Sequence, residues 1–171
     1  MQQIILHIIF AKLSMLFLNS LFDGFFRLGK QSHDEIDFAQ SALHDLDVQV
    51  AITTHENWKN RLRAYLDGTS KEVFDANVVC FDDRCDLGKW IHSSGTAKMG
   101  QYPGFTALMS HHKMFHFAAS NVIALQGRGK TAEADAILKG QFAQFSKSVV
   151  DDLNALSNMV IKRNKAFLNE K

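Results

Sequence analysis

A length of 171 residues is enough for one hydrophobic core but short for two independent domains. The formal net charge of +1 removes the electrostatic argument for a nucleic-acid partner. One proline and ten glycines leave little material for the repeated tight turns of an all-β fold, so the composition predicts an all-α protein.

Residues 1–31 are predicted to form an apolar N-terminal helix. Lys12 lies in the middle of the apolar run from Ile4 to Phe22, and a lysine there costs a membrane-spanning helix about 2.5–3.5 kcal/mol. One helical stripe is polar, as in an amphipathic helix, and contains Lys12, Asn19, Asp23 and Arg27. We therefore favour a helix for packing or dimerisation over one that contacts or spans a membrane.

Residues 32–171 are predicted to form the main domain. Its first helix is expected from Asp34 to Leu66, with Ser32 and Glu35 as a capping box and Asp67-Gly68 as its end. Residues 70–79 are a short helix or loop, and Cys85 to Ile91 form a short helix. Longer helices follow over 105–126 and from Thr131 to Phe167. The prediction is a four-helix bundle with a short helical insertion that carries Cys85.

The apolar faces of the predicted helices contain histidines. His55 lies on the inward face of the first helix, and His112 and His116, four positions apart, lie on the same face of a later one. The last helix has an apolar, core-forming stripe of Leu138, Phe142, Phe145, Val149, Leu153, Leu156 and Val160. The histidines are therefore expected in the core.

Neutral imidazole and thiolate are ligands that tetrahedral Zn²⁺ favours, and the candidates are His55, Cys85, His112 and His116. An unpaired imidazole is costly to bury, whereas one Zn²⁺ per chain would satisfy all four groups together. The alternative for His112 and His116 is a pair of hydrogen-bonded core histidines.

Cys85 begins the segment Cys85-Asp-Leu-Gly-Lys-Trp90. Here the glycine allows close backbone approach, and the leucine and tryptophan anchor the cysteine. A buried structural cysteine is the alternative there. Cys80 is more simply a buried small residue than a resolving thiol, and His92 and His111 are expected to face solvent. Two cysteines are too few for a disulfide framework and no signal-peptide cleavage site stands out, so we expect a cytoplasmic location.

Three motifs together resemble the chemoreceptor zinc-binding domain (CZB) of bacterial signalling proteins. They are His55-Glu-Asn-Trp-Lys59, Cys85-Asp-Leu-Gly-Lys-Trp90 and His112-Lys-Met-Phe-His116, separated by family-like intervals of thirty and twenty-seven positions. The resemblance covers roughly Asp45 to Asn164. It implies a homodimeric helical bundle that binds zinc through three histidines and one cysteine, beside an output module such as a chemoreceptor or a diguanylate cyclase. The chain itself contains no Gly-Gly-Asp/Glu-Glu-Phe cyclase signature.

The sequence thus predicts a sensor or regulator and not an enzyme. The domain would serve chemotaxis or cyclic-di-GMP signalling and respond to zinc or, as the resemblance suggests, to an oxidant such as hypochlorous acid. Two alternatives remain open: a hemerythrin-like di-iron bundle, and a structural dimerisation module without metal.

Overall fold

The structure is a computed structural model that describes residue 41 and residues 45–169, without the side chains of residue 160 and residues 163–169. This part of the chain consists of helices and their connections and contains no strand. The described helices are α1 (Val48–Leu66), α2 (Ala76–Val79), α3 (Asp86–Trp90), α4 (Thr96–Met99), α5 (Pro103–Gly127), α6 (Thr131–Ile137) and α7 (Ala143–Asn169). A π-helical turn (Ile91–Gly95) joins α3 to α4, and another (Leu138–Phe142) joins α6 to α7.

Helix α1 begins later than the sequence predicted. The side chain of Asp47 accepts a hydrogen bond from the Val50 backbone N–H at 3.0 Å and caps the helix, so residues 45–47 form a turn where a continuous helix from Asp34 was expected. The predicted capping box at residues 32–35 lies outside the described residues. The end of the helix was predicted correctly, because Leu66 is its last residue and Gly68 follows with a φ of 69°.

The chain between α1 and α5 contains the insertion. Asp75 caps α2, and Cys85 caps α3 by accepting a hydrogen bond from the Gly88 N–H at its Sγ, so the short helix predicted at Cys85 is confirmed. The π-helical turn and α4 were not predicted. The chain kinks at Ser93, whose backbone is non-helical, and this kink separates the two short helices.

Helix α5 is the longest described element before the C-terminal helix. Pro103 occupies its first turn, and Gly129, with a φ of 74°, lies in the turn that follows it. Helix α5 and the last helical segment confirm the helices predicted over 105–126 and from Thr131 to Phe167. The last segment is interrupted by a π-helical turn that the sequence did not indicate.

The core forms where α5 packs against α1, α2, α6 and α7. Its largest fully buried side chains include Leu62, Ile91, Met99, Phe105, Leu108, Phe115, Leu138, Phe142 and Leu153. Within the predicted stripe of the last helix, Phe145 is only half-buried, and the side chain of Val160 is outside the described set. The all-α class is confirmed, whereas the four-helix count stays a prediction.

The described residues fall in one compact unit. The predicted N-terminal helix at residues 1–31 lies outside the described residues, so the structure does not test whether it contacts a membrane. Among the helices that the structure describes, none is both long enough and apolar enough to cross a membrane.

Candidate metal centre

Three of the four predicted ligands come together in the interior. One donor atom from each of Cys85, His112 and His116 lies within 4.8 Å of the others. The Cys85 Sγ is 3.3 Å from the Nε2 of His112. In a tetrahedral zinc site with a Zn–S bond of about 2.3 Å and a Zn–N bond of about 2.0–2.1 Å, the sulfur and the nitrogen lie about 3.6 Å apart. The cluster is therefore compact enough for these donors to share one ion.

His55 lies beside this cluster but is not one of the three groups within 4.8 Å. Its ring centroid is 5.3 Å from that of His112, and its ring also contacts Phe115 at 4.8 Å. The residue is 2% exposed. The structure therefore brings the fourth predicted residue into the neighbourhood of the cluster, and its role as a ligand stays a prediction.

Each element positions its predicted ligand for a local reason. The i, i+4 spacing places the rings of His112 and His116 on one face of α5, with centroids 4.7 Å apart. Cys85 is held as the cap of α3, where its Sγ accepts the Gly88 N–H at 3.3 Å. His55 lies on the buried face of α1. The site thus joins three helices that are separated in sequence.

Backbone carbonyls orient two of the imidazoles. The Nδ1 of His55 is 2.8 Å from the Ala51 carbonyl oxygen, and the Nδ1 of His116 is 2.8 Å from that of Val79. An Nδ1–H that donates to a carbonyl leaves Nε2 as the bare nitrogen that a metal requires. These two carbonyl partners were not predicted, because no side-chain pattern marks them.

The bare nitrogens have no hydrogen-bond partner in the described part of the protein. The buried atoms without a partner include the Nε2 atoms of His55 and His116 and the Nδ1 of His112. Burying three unsatisfied imidazole nitrogens is costly unless another group satisfies them. A cation bound by imidazole and thiolate would satisfy the Nε2 atoms of His55 and His116, and the donor set fits zinc. The Nδ1 of His112 is not the nitrogen that faces Cys85, because the Nε2 of that ring lies 3.3 Å from the Cys85 Sγ.

Burial also keeps the histidines neutral, as metal ligation requires. It lowers the pKa of His55 to about 4 and that of His112 to about 2, and the nearby imidazole of His116 adds to both shifts. Burial likewise lowers the pKa of His116. The pKa of the Cys85 thiol is raised, again mainly by burial, so without a cation nearby this group favours the protonated form.

Because Gly88 has no side chain, the loop before Cys85 can pack closely against α3. A Cβ at this position would lie 1.7 Å from the carbonyl oxygen of Asp82. Leu87 and Trp90, at 3% and 4% exposure, anchor the same short helix in the core. The interpretation of this motif as a close backbone approach with two apolar anchors is confirmed.

The two other histidines that the structure describes, His92 and His111, pair with carboxylates. His92 is exposed and lies 3.0 Å from Asp82, as expected for a solvent-facing residue. His111 is half-buried, not fully solvent-facing, because its Nδ1 lies 2.7 Å from Asp152 on α7. Cys80 is half-buried and contacts the carbonyl oxygen of Asn77 at 3.3 Å.

Phe115 is a further contributor to the site that the sequence did not identify. It is fully buried, and its ring contacts those of His55, His116 and Phe142 at centroid distances of 4.8, 5.4 and 4.9 Å. It therefore fills the space beside the imidazoles and helps to exclude water from them. In the sequence, the position of Phe115 between His112 and His116 was the feature that could have indicated this role.

A comparison with protein families agrees with this geometry. Residues 55–123 match the model of the family described as chemoreceptor zinc-binding domain (CZB). The matched range contains all four predicted ligands and confirms the resemblance. The family is one of zinc-binding signalling domains and not a catalytic one. Neither the curated proteins nor the solved structures contained a significant match to the chain.

Proposed function

Because residues 55–123 match the chemoreceptor zinc-binding domain family, we propose that the chain binds one Zn²⁺ through His55, Cys85, His112 and His116 and acts as a sensory or regulatory domain. The cluster of Cys85, His112 and His116 within 4.8 Å is the observation that supports this most strongly. The domain would comprise residues 32–171, with residues 1–31 as a separate helix.

The proposed ligand set predicts no catalysis by the ion. Four protein ligands close a tetrahedral zinc site and leave no position for an activated water, so the bound ion would supply a structural cross-link and no hydrolytic chemistry. The Ala51 and Val79 carbonyls orient their imidazoles, and Phe115 packs against the imidazole of His55. The protein is therefore proposed to be a regulator and not an enzyme.

Two kinds of signal fit this site. Ligation requires a deprotonated Cys85, so occupancy depends on zinc level and on pH. The thiolate is also the oxidisable form: with hypochlorous acid, the sulfur bonds to oxygen, chloride leaves, and Cys85 becomes a sulfenic acid. Either change would alter how α1, α3 and α5 pack together.

The partners follow from the family, whose domains occur in chemoreceptor-type signalling proteins and often dimerise. We propose a homodimer that acts on a chemoreceptor or a cyclic-di-GMP cyclase in bacterial signal transduction. A cytoplasmic location is part of the proposal, since a reducing compartment keeps Cys85 available as a ligand.

Elemental analysis of the purified protein tests the zinc proposal. We expect about one zinc per chain, and loss of that zinc in a Cys85→Ala, His112→Ala double variant. His111→Ala is the matched control, because His111 lies on the same helix but pairs with Asp152. Unchanged zinc in the double variant would overturn the proposal.

The oxidant response needs its own experiment. Hypochlorous acid added to the zinc-loaded protein should release zinc together with a mass increase on the Cys85 peptide. Cys80 serves as the internal comparison, because it lies outside the cluster within 4.8 Å. Zinc release without a modification at Cys85 would contradict the redox proposal and leave the zinc-level proposal standing.

The composition of the cluster favours zinc over the di-iron alternative. Hemerythrin-like sites need carboxylate ligands, whereas the group found among the described residues contains a cysteine and no carboxylate. Iron in place of zinc would support the alternative. A dimer that retains its fold but binds no metal would support the other alternative, a structural dimerisation module without metal.

A further inference from the structure

A cavity of about 440 Å³ lies beside the metal centre, between the first half of α1 and the start of α3. His55 and Cys85 both line it, so it borders two of the four proposed ligands. Its walls include Ala51, Trp58 and Leu87. His112, by contrast, is fully enclosed and does not line this cavity.

The solvent side of the cavity carries negative charge. Asp45, Asp47 and Asp86 line it and are exposed residues, and Asp45 forms an ion pair with Lys98 at 2.9 Å. The side chain of Asp86, immediately after Cys85, is 99% exposed and its partner Lys89 is 65% exposed. Arg61 is the cation that lines the cavity, and its guanidinium bonds to Glu72, with the Nε–Oε2 distance at 3.0 Å.

One of the residues that line the cavity has a ring nitrogen without a partner. The Nε2 of His55 is buried and has no hydrogen-bond partner in the described structure, although the residue lines the cavity. His55 and Cys85 are thus the proposed ligands that border the cavity, whereas the enclosed His112 does not.

We propose that this cavity is the passage by which zinc reaches and leaves the centre, with Asp47 and Asp86 attracting the cation at the mouth. The proposal rests on the zinc function above. Carboxylates at the mouth of a cleft raise the local cation concentration and the association rate, an effect that salt weakens. The passage should control the rates of zinc exchange more than the affinity.

Access to the thiol provides a test that needs no zinc. Thr54 is exposed and lines the cavity, so Thr54→Trp should obstruct it without disturbing the core. In zinc-stripped protein we expect iodoacetamide to alkylate Cys85 at least about fivefold more slowly in this variant, while Cys80 reacts as before. Asn60→Trp, on an exposed position of the same helix outside the cavity, is the control.

The same variants test the passage of zinc. Thr54→Trp should slow zinc uptake and zinc removal by a chelator by similar factors, so that the zinc affinity is unchanged. Uptake is followed with a fluorescent zinc indicator. If this variant does not fold, Val50→Trp replaces it, because Val50 also lines the cavity and is 60% exposed. Unchanged alkylation and exchange rates would refute the passage.

Charge is tested separately with an Asp47→Asn, Asp86→Asn variant, in which asparagine preserves the helix cap at residue 47. We expect zinc uptake at low salt to slow about threefold or more. Glu133→Gln, Asp151→Asn is the control, since it removes two exposed, lysine-paired carboxylates elsewhere. Equal rates in both variants would refute the role of the mouth. Failure of the wild-type protein to bind zinc would refute the proposed function and the passage together.

Discussion

Substitution of Gly88 by alanine tests how the cysteine ligand is held. The new Cβ would lie 1.7 Å from the Asp82 carbonyl oxygen and 2.8 Å from the carbonyl carbon, and both are backbone atoms. Because Cβ contacts under 3.0 Å are essentially never found, the loop and α3 must separate by at least 1.3 Å, the difference between 3.0 and 1.7 Å. Bonds to zinc tolerate displacements of only about 0.2 Å.

We therefore expect Gly88→Ala to weaken zinc binding at least about tenfold, or about 1.4 kcal/mol, and to destabilise the metal-free protein by about 1–3 kcal/mol. Competition with a chromophoric chelator measures the affinity, and urea denaturation measures the stability. Gly140→Ala is the control, because no atom lies within 4 Å of its Cβ position. Wild-type zinc affinity in Gly88→Ala would refute the reasoning.

Three further predictions concern the histidines. Burial lowers the pKa of His55 to about 4 and of His112 to about 2, from 6.5, so below about pH 6.5 the unfolded chain binds more protons. The free energy of unfolding of the metal-free protein should therefore fall by up to about 1.4 kcal/mol per pH unit for each of these histidines as the pH falls from 6.5 toward 4. Equal stability in urea at pH 7 and pH 5 would contradict this prediction. His92→Gln should lower zinc affinity about threefold, since His92 bonds to Asp82 in the loop before the cysteine ligand; unchanged affinity in chelator competition would exclude this positioning role. His111→Gln should leave zinc content unchanged, because His111 pairs with Asp152, and metal loss in this variant would show that His111 takes part in zinc binding.

The sequence predicted the helices that place the metal centre because their signals are local. The four-residue spacing of His112 and His116 determines that both face the same way, and Gly68 marks the end of α1. The anchoring of Cys85 was also predictable, since a glycine between a leucine and a tryptophan indicates close packing.

Other features depend on tertiary contacts and left no such signal. The start of α1 at Val48, with Asp47 as its cap, was missed because the apolar pattern continues across the turn at residues 45–47. The π-helical turn Ile91–Gly95 and the carbonyl partners of His55 and His116 are set by the packing of separate segments. Whether His55 completes the site also depends on such packing, so its ligation stays a prediction.

X-ray absorption at the zinc edge of the purified protein tests the central claim most directly. A three-histidine, one-cysteine site predicts about three nitrogen neighbours at about 2.0–2.1 Å and one sulfur at about 2.3 Å. In a His55→Ala variant, one imidazole signal should be lost while the sulfur remains. A spectrum of the wild-type protein without sulfur scattering, or one unchanged by His55→Ala, would contradict the proposed ligand set.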